Sequence, residues 1–163
     1  MELTFAPRNI LQIEGARIIW RNFEGRGDKY NREGDRNFAL VIPDEEMKDA
    51  LVEEGWNVRT RPARDEESDP LFYLPVKVKF NDRGPSVYLV TGPNAVKLNE
   101  DTVGMLDDVD ILNVDLNIRP YDWEVSGKTG RSAYLQSIEV TQNLDSIDAR
   151  HARRFEEDGG YDD

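Results

Sequence analysis

Residues 109–119 alternate, with Leu112, Val114, Leu116 and Ile118 on one side and Asn113, Asp115, Asn117 and Arg119 on the other. That period of two predicts a long, half-buried β-strand. A second strand over 132–141 puts Tyr134, Ile138 and Val140 on one side, and Leu135 interrupts the alternation as a β-bulge would. Between the two lie Ser126, Gly127 and Gly130, which allow a turn, so 109–141 forms one β-hairpin with an elaborated tip, residues 120–131.

The same period recurs along the chain. Residues 2–6 and 10–13 predict short strands ended by Pro7 and Gly15, and 16–23 a stronger one with Ile18 and Trp20 opposite Arg17, Ile19, Arg21 and Phe23. Residues 37–42 turn Phe38, Leu40 and Ile42 inward and stop at Pro43, while 71–80 sends Val76, Val78 and Phe80 one way and Lys77 and Lys79 the other. Further strands are expected at 56–60, 86–91 and 95–98. One helix is clear: Asp44 caps it, Glu45 and Glu46 suit its positive end, Met47, Ala50 and Leu51 form its apolar stripe, and Gly55 closes it. A shorter helix is expected over 100–107. Many short strands with one or two short helices indicate a mainly β domain, a closed or partly open β-barrel rather than a sandwich. The strand–helix alternation of a parallel sheet is missing.

Composition narrows the chemistry. A chain of 163 residues reads as one folded domain with a substantial core, and without cysteine it has neither disulfides nor thiolate metal ligands. His151, its single histidine, stands in a charged C-terminal stretch and reads as solvated. No run approaches the ~20 apolar residues of a membrane span, and Met1-Glu2-Leu3-Thr4 lacks a signal-peptide pattern, so a soluble protein of the cytoplasm is expected. A net charge of −12 argues against a nucleic-acid partner until its distribution is considered. The last eight residues carry five acids and no base, whereas 16–36 holds six Lys/Arg against four Asp/Glu, and Arg59, Arg61 and Arg64 fall in a stretch without acids. Such segregation permits a basic groove on an acidic body.

The candidate chemistry sits on the hairpin. Tyr121 and Trp123 are two residues apart and share a face of a continuing strand, with Arg119, Lys128, Arg131 and Tyr134 close by in sequence. Rings beside cations suit a single-stranded nucleic acid, whose bases stack for about 1–3 kcal/mol each while cations follow the phosphates. The competing reading is that Tyr121 and Trp123 cap the core, and that Lys77 and Lys79 protect a sheet edge. The polar loop 24–35 adds Arg26, Lys29, Tyr30 and Arg32. Its three glycines fit neither a Walker A nor a dinucleotide fingerprint, and it reads as a mobile hairpin loop carrying cations and one stacking ring. Trp20, Arg21, Phe23, Arg59, Arg61, Lys77 and Lys79 complete the candidate set. Carboxylates at 107, 108, 110 and 115 raise a Mg²⁺-dependent nuclease, yet Asp110 and Asp115 point to opposite faces of a regular strand, and no nucleophile elbow or Ser/His/Asp set is present. No enzyme and no cofactor are expected.

Pro120-Tyr121-Asp122-Trp123, followed by Gly127-Lys128-Thr129-Gly130-Arg131-Ser132-Ala133-Tyr134-Leu135, resembles the C-terminal hairpin of phage-encoded single-stranded DNA-binding proteins with an OB-fold core. Trp20-Arg21-Asn22-Phe23-Glu24-Gly25, with Arg36-Asn37-Phe38-Ala39-Leu40-Val41-Ile42, is similar to the first barrel hairpin of that group. The resemblance implies an OB-like, partly open β-barrel and sequence-independent binding of single-stranded DNA in phage replication, recombination or repair. The acidic end also resembles the tails by which replication single-strand binders recruit partners, which implicates Phe155, Glu156, Glu157, Asp158, Tyr161, Asp162 and Asp163. It departs from that pattern in finishing on Tyr161-Asp162-Asp163 rather than on Phe. A strongly negative segment can also occupy the protein's own cationic groove until DNA displaces it; the bland alternative is a solubilising terminus.

These readings divide the chain into a DNA-binding domain, 1–143, and a flexible acidic tail, 144–163. The expected partners are single-stranded DNA and, through the tail, replication or recombination proteins; no membrane is implied, and a homodimer is left open. The alternatives are an acidic DNA mimic that blocks a DNA-processing enzyme such as a restriction system, the nuclease, and a structural virion protein.

Overall fold

The computed structural model describes residues 1–143. Ten strands are present among them: β1 (Glu2–Phe5), β2 (Leu11–Glu14), β3 (Ile18–Asn22), β4 (Arg36–Ile42), β5 (Arg59–Arg61), β6 (Leu71–Val78), β7 (Ser86–Thr91), β8 (Asn94–Leu98), β9 (Ile111–Val125) and β10 (Lys128–Gln142). One α-helix, α1 (Glu45–Glu53), is present among the described residues after β4, and a 3-10 segment at Val103–Asp107 takes the place of the second expected helix. The expected tail, including His151, Phe155, Glu156, Glu157, Asp158, Tyr161, Asp162 and Asp163, lies outside the described residues.

The strands form one sheet in the order β1-β2-β9-β10-β6-β4-β3, with β5 on the free part of β6 and β7–β8 continuing from β10. All of the consecutive pairs on the path are antiparallel except β10–β6, which is parallel. The chain from β2 into β3 pairs first with β9 and then with β4, bending at Gly15, whose φ is 64°. Ala16 N–H donates to Val114 C=O at that bend, so the sheet curls into a partly open, OB-like barrel. Inside it lie Leu11, Ile13, Phe38, Leu40, Leu74, Val76, Leu116, Ile118, Leu135, Ile138 and Val140, all buried. Burying each aliphatic side chain of this kind is worth about 1.5–3 kcal/mol, which is why the period-two pattern decides which face turns inward.

The hairpin of β9 and β10 is longer and simpler than the sequence implies. Its ladder continues to Val125 and Lys128, and Ser126 and Gly127 alone make the turn, with φ of 51° and 81°. Two positive φ values are the signature of a type I′ turn, which matches the twist of the paired strands. The expected elaborated tip is therefore regular strand that carries its side chains out in register.

Two side chains of the β9–β10 hairpin that depart from the simple alternation sit beside a bulge. The β9–β10 register slips between Leu135 and Ser137, so Gln136 is the extra residue. Ala133 and Leu135 point inward before the slip and Ile138 and Val140 after it, which leaves Tyr134 on the outer face rather than with Ile138. A second slip between Thr141 and Gln142 makes Leu112 the extra residue of β9 and turns it to solvent instead of into the core.

The helix forms as its sequence dictates. Asp44 Oδ1 accepts from Met47 N–H at 2.8 Å, and Leu51 is buried on the inner stripe. Gly55, at φ 90°, ends the helix and delivers Trp56 into the core beneath the Arg131 guanidinium, whose carbon is 5.5 Å from the ring centroid.

Candidate nucleic-acid interface

The outer face of the sheet carries a row of directly opposed residues. Arg119 of β9 faces Tyr134 of β10, which faces Lys77 of β6; Lys77 in turn faces Asn37 of β4, and Asn37 faces Asn22 of β3. Residues paired in this way share a surface and reach one another. Tyr134 is the centre of a cluster: the Arg119 guanidinium carbon is 4.9 Å from its ring centroid, Lys77 Nζ 5.8 Å, and the Tyr121 ring stands edge-on at 5.9 Å.

Farther along β9 the same face presents Tyr121 and then Trp123. Tyr121 is 55% exposed and opposes Ser132; Trp123 opposes Gly130. The indole packs against that glycine. A Cβ at position 130 would stand 2.3 Å from Trp123 Cζ2, so the absence of a side chain makes the seat.

A groove runs from this cluster toward β3. Its two ends share Arg59, Pro75, Lys77 and Tyr134 as walls, and its larger part, about 910 Å³, is also lined by Trp20, Tyr30, Arg32, Arg36, Tyr73 and Lys79. At the far end Trp20 meets Tyr73 edge-on at 4.9 Å, with the Arg61 guanidinium carbon 5.5 Å from the indole centroid. Trp20 reaches the outside because β3 gains a residue between Ile19 and Asn22, where Trp20 adopts φ 53°. That conformation costs a non-glycine residue on the order of 1–3 kcal/mol. Tyr30, 87% exposed, stands on the rim.

Several expected site residues lie elsewhere. Phe23 is fully buried and stacked on Phe38 at 5.2 Å, so it is a core residue and offers no face to a base. Arg21 donates from Nη1 to Leu106 C=O and Val109 C=O at 2.7 and 2.8 Å, which ties β3 to the 3-10 turn instead of to a groove. The β3 bulge explains both corrections, since it reverses which side each residue beyond it takes. Arg131 sits on the opposite face of the hairpin, with Nε 2.7 Å and Nη2 3.2 Å from the two oxygens of Asp122. That paired guanidinium holds the Asp122 carboxyl below its usual range, and the carboxylate raises Arg131 in turn. Arg26 approaches Asp107 at 3.6 Å, Lys29 lies over the Tyr30 ring at 5.2 Å, and Lys128 follows the hairpin turn, exposed. The acidic residues considered for a metal do not converge: Asp107 accepts from Phe23 and Glu24 N–H, and Asp115 from Gly15 N–H. Tyr73, Pro75 and Arg36 are groove residues missing from the expected set. Lys77 and Lys79 already mark the outer side of β6, and the same period of two extends back to Pro75 and Tyr73.

A sequence model of the family described as "Putative phage ssDNA-binding domain" matches residues 2–160. The chain belongs to that family. No curated protein sequence matches it. Its fold is similar to that of the single-stranded DNA-binding protein from bacteriophage Enc34 solved in complex with ssDNA, at a TM-score of 0.56 and 11% identity over 86% of this chain and 90% of that one. A C-terminally truncated form of the Enc34 protein superposes with a TM-score of 0.54 and 10% identity, over 86% of this chain and 90% of that one. These likenesses confirm the OB-like architecture expected for a phage ssDNA-binding domain. Among the described residues no helix is long and apolar enough to cross a membrane.

Proposed function

We propose that this phage ssDNA-binding domain holds single-stranded DNA along the outer-face groove without regard to sequence, in phage replication, recombination or repair. Bases stack on Tyr134, Tyr121 and Trp123 at one end and on Trp20, Tyr73 and Tyr30 at the other. Lys77, Lys79, Arg32, Arg59, Arg61 and Arg119 follow the phosphates. The observation that carries the reading is the Tyr134 cluster, where one exposed-face ring is ringed by Arg119, Lys77 and a second tyrosine. Rings serve every base alike, since each has a π-face, so stacking gives affinity without a sequence code. On a chain of net charge −12, the gathering of these cations on one face supports a polyanion there. The acidic tail competes for the groove and recruits replication or recombination proteins in this reading, supported by the five acids in its last eight residues. The test is a fluorescence titration with oligo-dT and with duplex DNA at two ionic strengths. The single strand should bind more tightly, and its affinity should fall with salt by about 0.7 in log–log slope per phosphate contacted. Equal binding of both, or none, would refute the function.

A further inference from the structure

The loop 24–35 is tied together by hydrogen bonds, and the Asn31 side chain makes more of them than any other. Asn31 Nδ2 donates to Arg26 C=O at 2.8 Å and Asp35 C=O at 2.9 Å, with Arg32 C=O a longer third partner at 3.2 Å. Its Oδ1 accepts from Asn37 Nδ2 at 2.9 Å, which fastens the loop to the groove-lining strand β4. Around it, Asp28 Oδ1 accepts from Tyr30 and Asn31 N–H, Glu33 Oε2 from Gly27 N–H, and Asn22 Oδ1 from Gly25 and Arg26 N–H. Gly34 N–H donates to Gly25 C=O at 2.8 Å, closing the base of the loop. A Cβ on Gly25, at φ 76°, would meet the Gly34 backbone at 3.1 Å, so the two legs touch. These bonds give the loop a defined course that its glycine content alone does not indicate.

We propose that residues 24–35 are a preformed arm and that Asn31 is the positioning residue that holds Tyr30 and Arg32 on the rim of the groove. The inference rests on the groove being the DNA site and adds how its rim is built. An unstructured loop would have to be ordered when DNA arrives, at about 1–2 kcal/mol per residue fixed, and an arm already closed by side-chain bonds avoids that cost. Asn31 lines the groove, but its amide is engaged by three carbonyls and its carbonyl by Asn37, so it acts through the arm rather than on a base.

A double-mutant cycle on the full chain tests this, with oligo-dT as the probe. Tyr30→Ala should weaken binding about 5-fold or more, the equivalent of one lost stack at the lower end of its range. Asn31→Ala should weaken it to a similar extent, and the double variant should be no weaker than the worse single one. Hydrogen–deuterium exchange should rise in 24–35 in Asn31→Ala and stay unchanged in β9 and β10. Additive losses, or wild-type affinity in Asn31→Ala, would overturn the proposal. Should Asn31→Ala fail to fold, Asn31→Asp keeps the acceptor for Asn37 and removes the donors; wild-type affinity there would overturn it equally. Failure of the wild-type chain to bind oligo-dT would instead refute the DNA site itself.

Discussion

Gly130→Ala separates a ring that is seated for binding from one that merely happens to be exposed. Position 130 is in strand and its φ is not positive, so alanine suits the backbone and by that criterion alone would stabilise the fold by about 0.4–1 kcal/mol. The obstacle is the indole. The new methyl would stand 2.3 Å from Trp123 Cζ2 and 2.6 Å from Cε2, against the roughly 3.5–4.0 Å at which carbons rest. The ring must lift. If about 50 Å² of apolar surface is uncovered, stability falls by about 1.2 kcal/mol, which offsets the backbone gain and leaves the melting temperature nearly unmoved. Binding is the sensitive readout. Losing one stacking surface at about 1–3 kcal/mol weakens oligo-dT affinity by about 5- to 150-fold, the same range expected of Trp123→Ala. Titration by tryptophan fluorescence measures it, and Gly130→Ala added to Trp123→Ala should cost nothing further. Wild-type affinity in Gly130→Ala, or an additional loss in the double variant, would refute the seat.

Three other outcomes follow from the geometry. Phe23→Ala should lose about 3–5 kcal/mol of stability by emptying a fully buried site, whereas Phe23→Leu should fold and bind oligo-dT as the wild type does; thermal melts and titration together check this. Lys77→Ala and Arg119→Ala should each lower the log–log salt slope of single-strand binding by about 0.7, read from titrations across a salt series. The Asp122–Arg131 pair sets a pH dependence: because the folded carboxyl titrates below its unfolded value of about 3.9, its contribution is complete above that value and is lost as the pH falls through the folded one. Melts of wild type and Asp122→Asn should therefore differ at pH 6 and converge toward pH 2.

What the sequence discloses depends on where the strands are regular. Phe38, Leu40 and Ile42 are buried as their alternation demands, and Asp44 and Gly55 bound the helix through contacts made within a few residues. Tyr121 and Trp123 share the outer face because the β9 ladder is uninterrupted there. Trp20, Phe23, Leu112 and Tyr134 escape the same logic, since each sits at or beyond a bulge, and one extra residue exchanges inside for outside. A bulge shows in the register between two paired strands, here the sequence neighbours β3–β4 and β9–β10; the break at Leu135 marks one of them, and the period of a single strand holds no trace of the others. The Gly130 seat likewise depends on the β9–β10 register, which sets Trp123 opposite the glycine. Loop 24–35 is different: its order comes from Asn31, Asp28 and Asn22 bonding backbone groups nearby, a pattern that glycine counting reads as looseness.

Amide chemical-shift mapping of the full chain during titration with oligo-dT tests the location of the interface most directly. The account predicts shifts clustered at Tyr134, Lys77, Arg119, Tyr121 and Trp123 and continuing through Tyr73 to Trp20 and Tyr30, with Tyr88, Val96 and Leu112 unmoved. Shifts centred on those last three residues, with the outer-face row silent, would contradict it.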